Sequence, residues 1–196
     1  MAPKKKFTKQ HIIDAAFEIA KVEGLDAITI RKVAQKLGSS IAPIYVNFND
    51  IDELIQEVVM KTFEISKQML KEQNSGQPFR DIAVAGFRFA KEYRVLYRDL
   101  VMKDNPHLKN YEEEFAILID LMKQDQDLAG FSDEELKQIL LKMRIFQAGI
   151  LVSVVNGSLP DDFNDEKMMM ELLDSAAVDV VTAARLRKSG ELVDEH

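Results

Sequence analysis

TIRKVAQKLGSSIAPIYVNF, residues 29–48, is the stretch of sequence that decides the fold of this chain. Thr29 is a typical helix N-cap residue, and Gly38 stands where a short helix ends. Ser39 and Ser40 then offer a side-chain cap for a second short helix. The stretch therefore predicts two short helices joined by a tight turn.

A longer amphipathic helix precedes this pair, and another helix follows it. Apolar residues recur at three- and four-residue steps from Thr8 to Gly24, which predicts a first helix with one buried face. The following helix begins at Asn49 and continues to about Leu70. The polar, glycine-containing stretch 71–77 predicts a linker.

The rest of the chain also has a helical pattern. No stretch alternates as a half-buried strand does, so we predict an all-α fold. An N-terminal helix-turn-helix domain covers 1–50, and a fourth helix joins it to a larger helical domain over 51–196. Breaks at Pro, Gly and Asn residues divide the larger domain into predicted helices at 78–93, 94–104, 110–128, 132–157 and 165–188.

The charge is distributed unevenly along the chain. Residues 1–48 carry eight Lys and Arg against four Asp and Glu, which gives them a net charge of +4. Since the formal net charge of the whole chain is −7, the remaining residues carry −11. A basic N-terminal segment on an otherwise acidic chain indicates that only this segment binds a polyanion.

The composition also predicts which chemistry is absent. The chain has no cysteine, its three histidines lie far apart, and it has neither a nucleophile elbow nor a glycine-rich phosphate loop. We therefore expect no enzymatic activity, no metal and no cofactor. No apolar run is long enough to cross a membrane, and a cytoplasmic location is expected.

Residues 8–54 carry several motifs in a defined order, and together these resemble one family. The motifs are Ala15-Ala16-Phe17, Gly24, the run Thr29-Ile30-Arg31-Lys32-Val33-Ala34, then Leu37-Gly38-Ser39-Ser40, and Ile44-Tyr45-Val46-Asn47-Phe48 leading to Glu53-Leu54. They are similar to the DNA-binding domain of TetR-type (TetR/AcrR) transcriptional repressors, whose second short helix enters the major groove.

The resemblance implies specific DNA contacts. Tyr45 would reach a phosphate and Thr29 would cap its helix against the backbone, while Ile41, Ala42 and Pro43 would face base edges. Because these three lack long polar side chains, contacts to thymine methyl groups and DNA shape would carry specificity. The predicted DNA-binding residues are Lys4, Lys5, Lys6, Thr8, Thr29, Arg31, Ser39, Ser40, Ile41, Ala42, Pro43, Tyr45, Asn47 and Asn49.

The larger domain is predicted to bind a small molecule and to dimerise. Large or adaptable side chains predict an effector pocket formed by Phe89, Tyr93, Tyr97, Phe115, Leu118, Met122, Met143, Phe146 and Gln147. By resemblance to the family, the last two helices of each subunit form the dimer interface, for which we predict Ile150, Val154, Leu172, Ala176, Val180 and Ala183.

These features predict a homodimeric, sequence-specific regulator of transcription that binds double-stranded operator DNA. The expected form is a repressor released by a small hydrophobic or amphipathic effector of unknown identity. Two alternatives stay open at this point. In the first alternative the chain is a DNA-binding dimer without a ligand, and in the second it is a helical carrier of small molecules.

Overall fold

The computed structural model describes residues 7–102, 111–155 and 165–192, and all regular secondary structure in these ranges is helical. This confirms the predicted all-α fold. In chain order the helices are α1 (Lys9–Glu23), α2 (Ile30–Leu37), α3 (Ala42–Asn47), α4 (Ile51–Glu72), α5 (Pro78–Glu92), α6 (Arg94–Tyr97), α7 (Tyr111–Met122), α8 (Asp133–Val155) and α9 (Glu166–Ser189).

The chain divides into two compact units. The first takes its described residues from 1–69 and 89–109, and the second from 70–88 and 110–196. The first unit therefore holds the helix-turn-helix together with most of α4 and the end of α5. The boundary predicted after residue 50 and the linker predicted at 71–77 stay predictions.

The first unit is built around α1, which packs against α2, α3 and α6. Thr8 begins this helix as predicted: its Oγ1 accepts from the backbone N–H of His11, and His11 Nδ1 accepts from the N–H of Thr8. Such reciprocal capping satisfies two backbone donors that the helix itself leaves unpaired. The side chains with no exposed surface in this unit are Ile12, Ala16, Ala20, Val33, Ile44, Leu54, Val58 and Leu96.

The predicted serine cap of α3 is wrong. The helix is preceded by Ile41, which makes no side-chain capping bond, and Ser39 Oγ donates instead to the carbonyl of Ser40. Pro43 has no N–H, and the N–H of Ile44 already donates to the Ile41 carbonyl. Few backbone N–H groups at the start of α3 therefore need a serine side chain as their acceptor.

The predicted helix over 110–128 is too long, because α7 ends at Met122. The buried carboxylate of Asp125 accepts from the N–H of Asp127 and from the N–H of Phe79, each at 3.0 Å. These bonds fix a separate 3₁₀ turn, Gln126–Leu128. Similarly, the described part of the predicted helix 94–104 consists of α6 and a π-helical turn, Arg98–Met102, and residues 103 and 104 lie outside the described ranges.

The core of the second unit lies between α5, α7, α8 and α9. Buried residues of α7 and α8 form one cluster, and residues of α5, α8 and α9 form another. The first contains Phe115, Leu118, Ile119, Met122, Leu128, Leu136, Ile139 and Leu140, and the second contains Phe87, Met143, Ile150, Met169 and Leu173.

An ion pair joins the two long helices of this unit and makes its stability depend on pH. Lys188 Nζ lies 2.8 Å from Glu135 Oε2, and the N–H of Ser132 donates to the same carboxylate oxygen. Lys188 first, and then Ser132, lower the pKa of Glu135 from 4.5 to about 2. A carboxyl whose pKa is lower in the folded state stabilises the fold above its unfolded pKa and loses that effect as pH falls through the folded one.

We therefore expect Glu135→Gln to be less stable than the parent protein above pH 4.5, with the difference vanishing as the pH falls to about 2. Urea unfolding at a series of pH values measures it. Glu134→Gln, in the same turn of α8, is the control and should leave the pH dependence unchanged. A pH-independent difference between Glu135→Gln and the parent would contradict the prediction.

Candidate nucleic-acid interface

The short helix α3 has one buried side and one exposed side. Ile44 and Phe48 are buried, whereas Tyr45 is 58% exposed and Val46 is 84% exposed. Ile41, just before the helix, is also exposed. An exposed surface on a helix with firmly buried anchors is what insertion into a groove requires.

The turn between α2 and α3 is fixed by backbone hydrogen bonds. Gly38 has φ 63°, in the left-handed region, and its N–H donates to the carbonyl of Gln35. The N–H of Ser39 donates to the carbonyl of Ala34 at 3.0 Å. This is a Schellman-type helix end, for which glycine is favoured at the left-handed position. The start of α2 is fixed as well, because Thr29 Oγ1 accepts from the N–H of Lys32 at 3.2 Å.

The structure places most of the predicted DNA-binding residues on the surface of the first unit. Their assignment to DNA contacts stays a prediction. The exposed ones are Thr8, Thr29, Arg31, Ser40, Ile41, Ala42, Tyr45 and Asn49; Ser39, Pro43 and Asn47 are half-buried; Lys4, Lys5 and Lys6 lie outside the described residues.

Two of the predicted polar contacts already have partners inside the protein. Asn47 Nδ2 donates to the carbonyl of Pro43 at 2.7 Å. Asn49 donates from both its backbone N–H and Nδ2 to Glu53 Oε2, each at 2.9 Å, next to the start of α4. To contact DNA, either side chain must therefore use its remaining polar groups or break the hydrogen bond that it makes within the protein.

The basic residues of the first unit differ in their partners. Lys9 Nζ lies 2.6 Å from Glu57 Oε1 and over the Phe48 ring, and the Glu57 carboxylate raises the pKa of Lys9 above its usual value. Lys32 pairs with Glu23 at 2.6 Å. Within the part of the chain that the structure describes, Arg31 pairs with no carboxylate. Arg31 is therefore more available to a phosphate than Lys32 is.

A buried carboxylate that the sequence reasoning missed holds the turn ahead of Thr29. Asp99 is buried, and its Oδ2 accepts from the backbone N–H of Leu25 at 2.8 Å. This approach needs Gly24, whose φ is 98° and where an added Cβ would lie 2.4 Å from Asp99 Oδ2. Asp99 thereby positions the 3₁₀ turn Leu25–Ala27, which leads into α2.

The nine residues predicted to form the effector pocket fall into both units. Phe89, Tyr93 and Tyr97 belong to the first unit, where Tyr93 contacts Phe89 with ring centroids 5.4 Å apart. The other six belong to the second unit, in which Phe115, Leu118, Met122 and Met143 are core residues. Their common pocket stays a prediction.

The second unit contains a cavity of about 500 Å³ between α5, the turn Gln126–Leu128, α8 and α9. Met143 and Gln147, two of the predicted pocket residues, line it. Gln147 Nε2 donates to the carbonyl of Ala83 at 2.9 Å, and a Cβ at Gly86 would lie only 3.1 Å from the same nitrogen. A volume of this size suits a small organic ligand.

The residues predicted for the dimer interface lie on α8 and α9. Ile150 is buried in the core of its own unit, and the side chain of Val154 lies outside the described part. Leu172, Ala176, Val180 and Ala183 are half-buried. Leu141 and Ile145, one helical turn apart on α8, are exposed.

Comparison with known proteins identifies the N-terminal segment. Residues 12–58 match the family model described as "Bacterial regulatory proteins, tetR family". No curated protein sequence matches the chain.

Solved structures resemble the chain over most of its length. A transcriptional regulator from Rhodococcus sp. Rha1 has a TM-score of 0.64 at 14% identity, covering 90% of this chain and 97% of that one. The multidrug binding protein EbrR, complexed with imidazole, has a TM-score of 0.61 at 16% identity, and the match covers 85% of this chain and 93% of that one. FadR from Bacillus halodurans, a fatty acid degradation regulator, has a TM-score of 0.58 at 15% identity, and the match covers 91% of this chain and 97% of that one. At these identities the similarity establishes the fold.

Proposed function

We propose that this chain is a homodimeric tetR-family repressor, released from its operator by a small apolar or amphipathic molecule. The match of residues 12–58 to the tetR family model supports this proposal. The observation that carries the DNA-binding part is the exposed side of α3, which is held by the buried Ile44 and Phe48. The apolar Ile41 and Ala42 suit thymine methyl groups, and the hydroxyl of Tyr45 suits a phosphate.

The proposed function requires a dimer, because a helix of six residues, such as α3, reads few base pairs. Two copies related by a two-fold axis would read successive major grooves. Leu141 and Ile145 are exposed apolar side chains on α8 that suit packing against a second copy. On α9, Leu172, Ala176 and Ala183 are half-buried; the first two also pack against the core of their own unit, and the remaining surface of all three suits the same contact.

The cavity in the second unit favours a ligand-binding repressor over a DNA-binding dimer without a ligand. Its walls combine apolar side chains with six charged ones, three Arg and three Asp, which suits an amphipathic effector. Two proteins with the same fold are a multidrug binding protein and a regulator of fatty acid degradation. An effector lowers operator affinity only if it binds more tightly to a conformation that binds DNA poorly.

The DNA-binding part is tested by selecting bound duplexes from random DNA and measuring affinity for the selected sequence. We expect Tyr45→Ala to weaken binding about tenfold, because a phosphate contact and its ring packing are lost. Tyr45→Phe should lose most of the same affinity if the hydroxyl makes the contact. Val22→Ala shortens an apolar side chain that is 71% exposed near the C-terminal end of α1 and is not among the predicted DNA-binding residues, and it should leave affinity unchanged.

Failure to select any duplex, even at low salt, would reject DNA binding and favour a helical carrier of small molecules. Selection of a specific duplex whose affinity does not change in Tyr45→Ala would reject the proposed orientation of α3.

A further inference from the structure

The cavity of the second unit has an apolar floor and a charged edge. Its apolar lining comes mainly from α5, α8 and α9 and includes Phe79, Ile82, Leu140, Met143, Leu173 and Val181. Three guanidinium groups line it, those of Arg80, Arg144 and Arg185. A molecule with an apolar body and one charged end would match both parts.

An ion pair across the cavity edge joins α5 to α9. Arg80 Nε donates to Asp174 Oδ1 at 3.0 Å, and Arg80 Nη2 donates to Asp174 Oδ2 at 3.1 Å. The two side chains are 42% and 43% exposed. Ion pairs with this much solvent contribute little to stability, so another anion can replace Asp174 at small cost.

The hydrogen-bonding capacity of the edge favours an anion over a cation. The carboxylate oxygens of Asp125 are occupied by the backbone N–H groups of Phe79 and Asp127. Arg80 uses only Nε and Nη2 toward Asp174, so its Nη1 is directed to no described acceptor. Arg185 donates to a neutral carbonyl, that of Asp127. Arg80 and Arg185 therefore have more unused capacity than Asp125 and Asp174, and Asp127, which also lines the cavity, is the carboxylate that a cationic head group would contact instead.

We propose that this cavity binds a single-chain amphiphile with a terminal carboxylate, which takes Arg80 from Asp174. The apolar chain lies against Leu140, Met143 and Leu173, and the carboxylate accepts from the guanidinium of Arg80. Binding then releases the tie between α5 and α9. This inference rests on the proposed function, since it names the class of the effector and the contact that the effector changes.

Dodecanoate, dodecanol and dodecylamine, each below its micelle concentration, are suitable probes because they share a chain and differ in the charge of the head group. Calorimetric titration into the full-length protein without DNA should give the tightest binding for dodecanoate. We expect Arg80→Gln to weaken dodecanoate binding on the order of tenfold. Asp174→Asn should strengthen it about threefold, because the internal competitor for Arg80 is removed. Neither change should alter dodecanol binding.

Arg88→Gln is the matched control, because Arg88 pairs with Glu72 at 2.7 Å and the pair is also 42% and 43% exposed, but neither residue lines the cavity. It should leave dodecanoate binding unchanged. Arg80→Lys keeps the charge, and it should bind dodecanoate more tightly than Arg80→Gln does.

Weaker or equal dodecanoate binding in Asp174→Asn would overturn the exchange of partners. Equal binding of dodecanol, or tighter binding of dodecylamine, would overturn the choice of a carboxylate. These titrations contain no DNA, so failure of the DNA-binding proposal would appear only in the duplex selection.

Discussion

Replacing Gly24 with alanine is expected to lower the free energy of unfolding by about 2–4 kcal/mol. Gly24 has φ 98°, where a side chain is strained, and the added Cβ would lie 2.4 Å from Asp99 Oδ2. The carboxylate must then move away, which leaves the buried N–H of Leu25 without its acceptor. Urea denaturation measures the change.

Gly38→Ala shows what a side chain costs at a positive φ where it meets no neighbouring atom. Gly38 has φ 63°, also in the left-handed region, but an added Cβ there would meet no atom within 4 Å. We expect it to cost only about 1 kcal/mol. In an Asp99→Ala background, Gly24→Ala should cost less than it does in the parent protein, and the cost that remains is the strain of a side chain at φ 98° and ψ 167°. Equal costs of the two glycine substitutions in the parent protein would rule out a steric role for Asp99.

Ile44→Ala is expected to lower the free energy of unfolding by about 2–4 kcal/mol and to weaken operator binding as well. Ile44 has no exposed surface and is the buried residue within α3. Shortening it leaves a cavity beneath the helix and loosens the side chains on the exposed surface, Tyr45 among them. Denaturation and duplex binding, both well below the melting temperature, measure the two effects.

Val46→Ala is the control in the same helix, since Val46 is 84% exposed. It should change the free energy of unfolding by less than about 0.5 kcal/mol. If Ile44→Ala binds the operator as tightly as the parent protein while being less stable, the buried anchor contributes to folding but not to recognition.

The local chemistry of the helix-turn-helix could be predicted from sequence because its signals lie within a few residues of each other. Thr8, Thr29 and Gly38 stand at helix ends as expected. The serine cap of α3 was wrong because Pro43 and the Ile41 carbonyl had already removed the need for it. A cap predicted from residue type alone takes no account of how many backbone N–H groups are unpaired at the start of that particular helix.

Contacts between distant parts of the chain could not be predicted in this way. Asp99 meets Leu25 across 74 positions, and no periodicity marks that partnership. The same reason explains the overlong helix predicted at 110–128, because the bond from the Phe79 N–H to Asp125 comes from a segment 46 positions away. The cavity depends on how three helices diverge, and apolar patterning does not encode that spacing.

The contact of Gln147 with Gly86 links the substitutions that these two positions of the chain can accept. Because Gln147 Nε2 lies 3.1 Å from where a Cβ at residue 86 would begin, an alanine there needs a shorter or displaced residue at 147. Gln147 also lines the cavity. Substitutions at these two positions should therefore arise as pairs during evolution, and each such pair should change the shape of the ligand that fits.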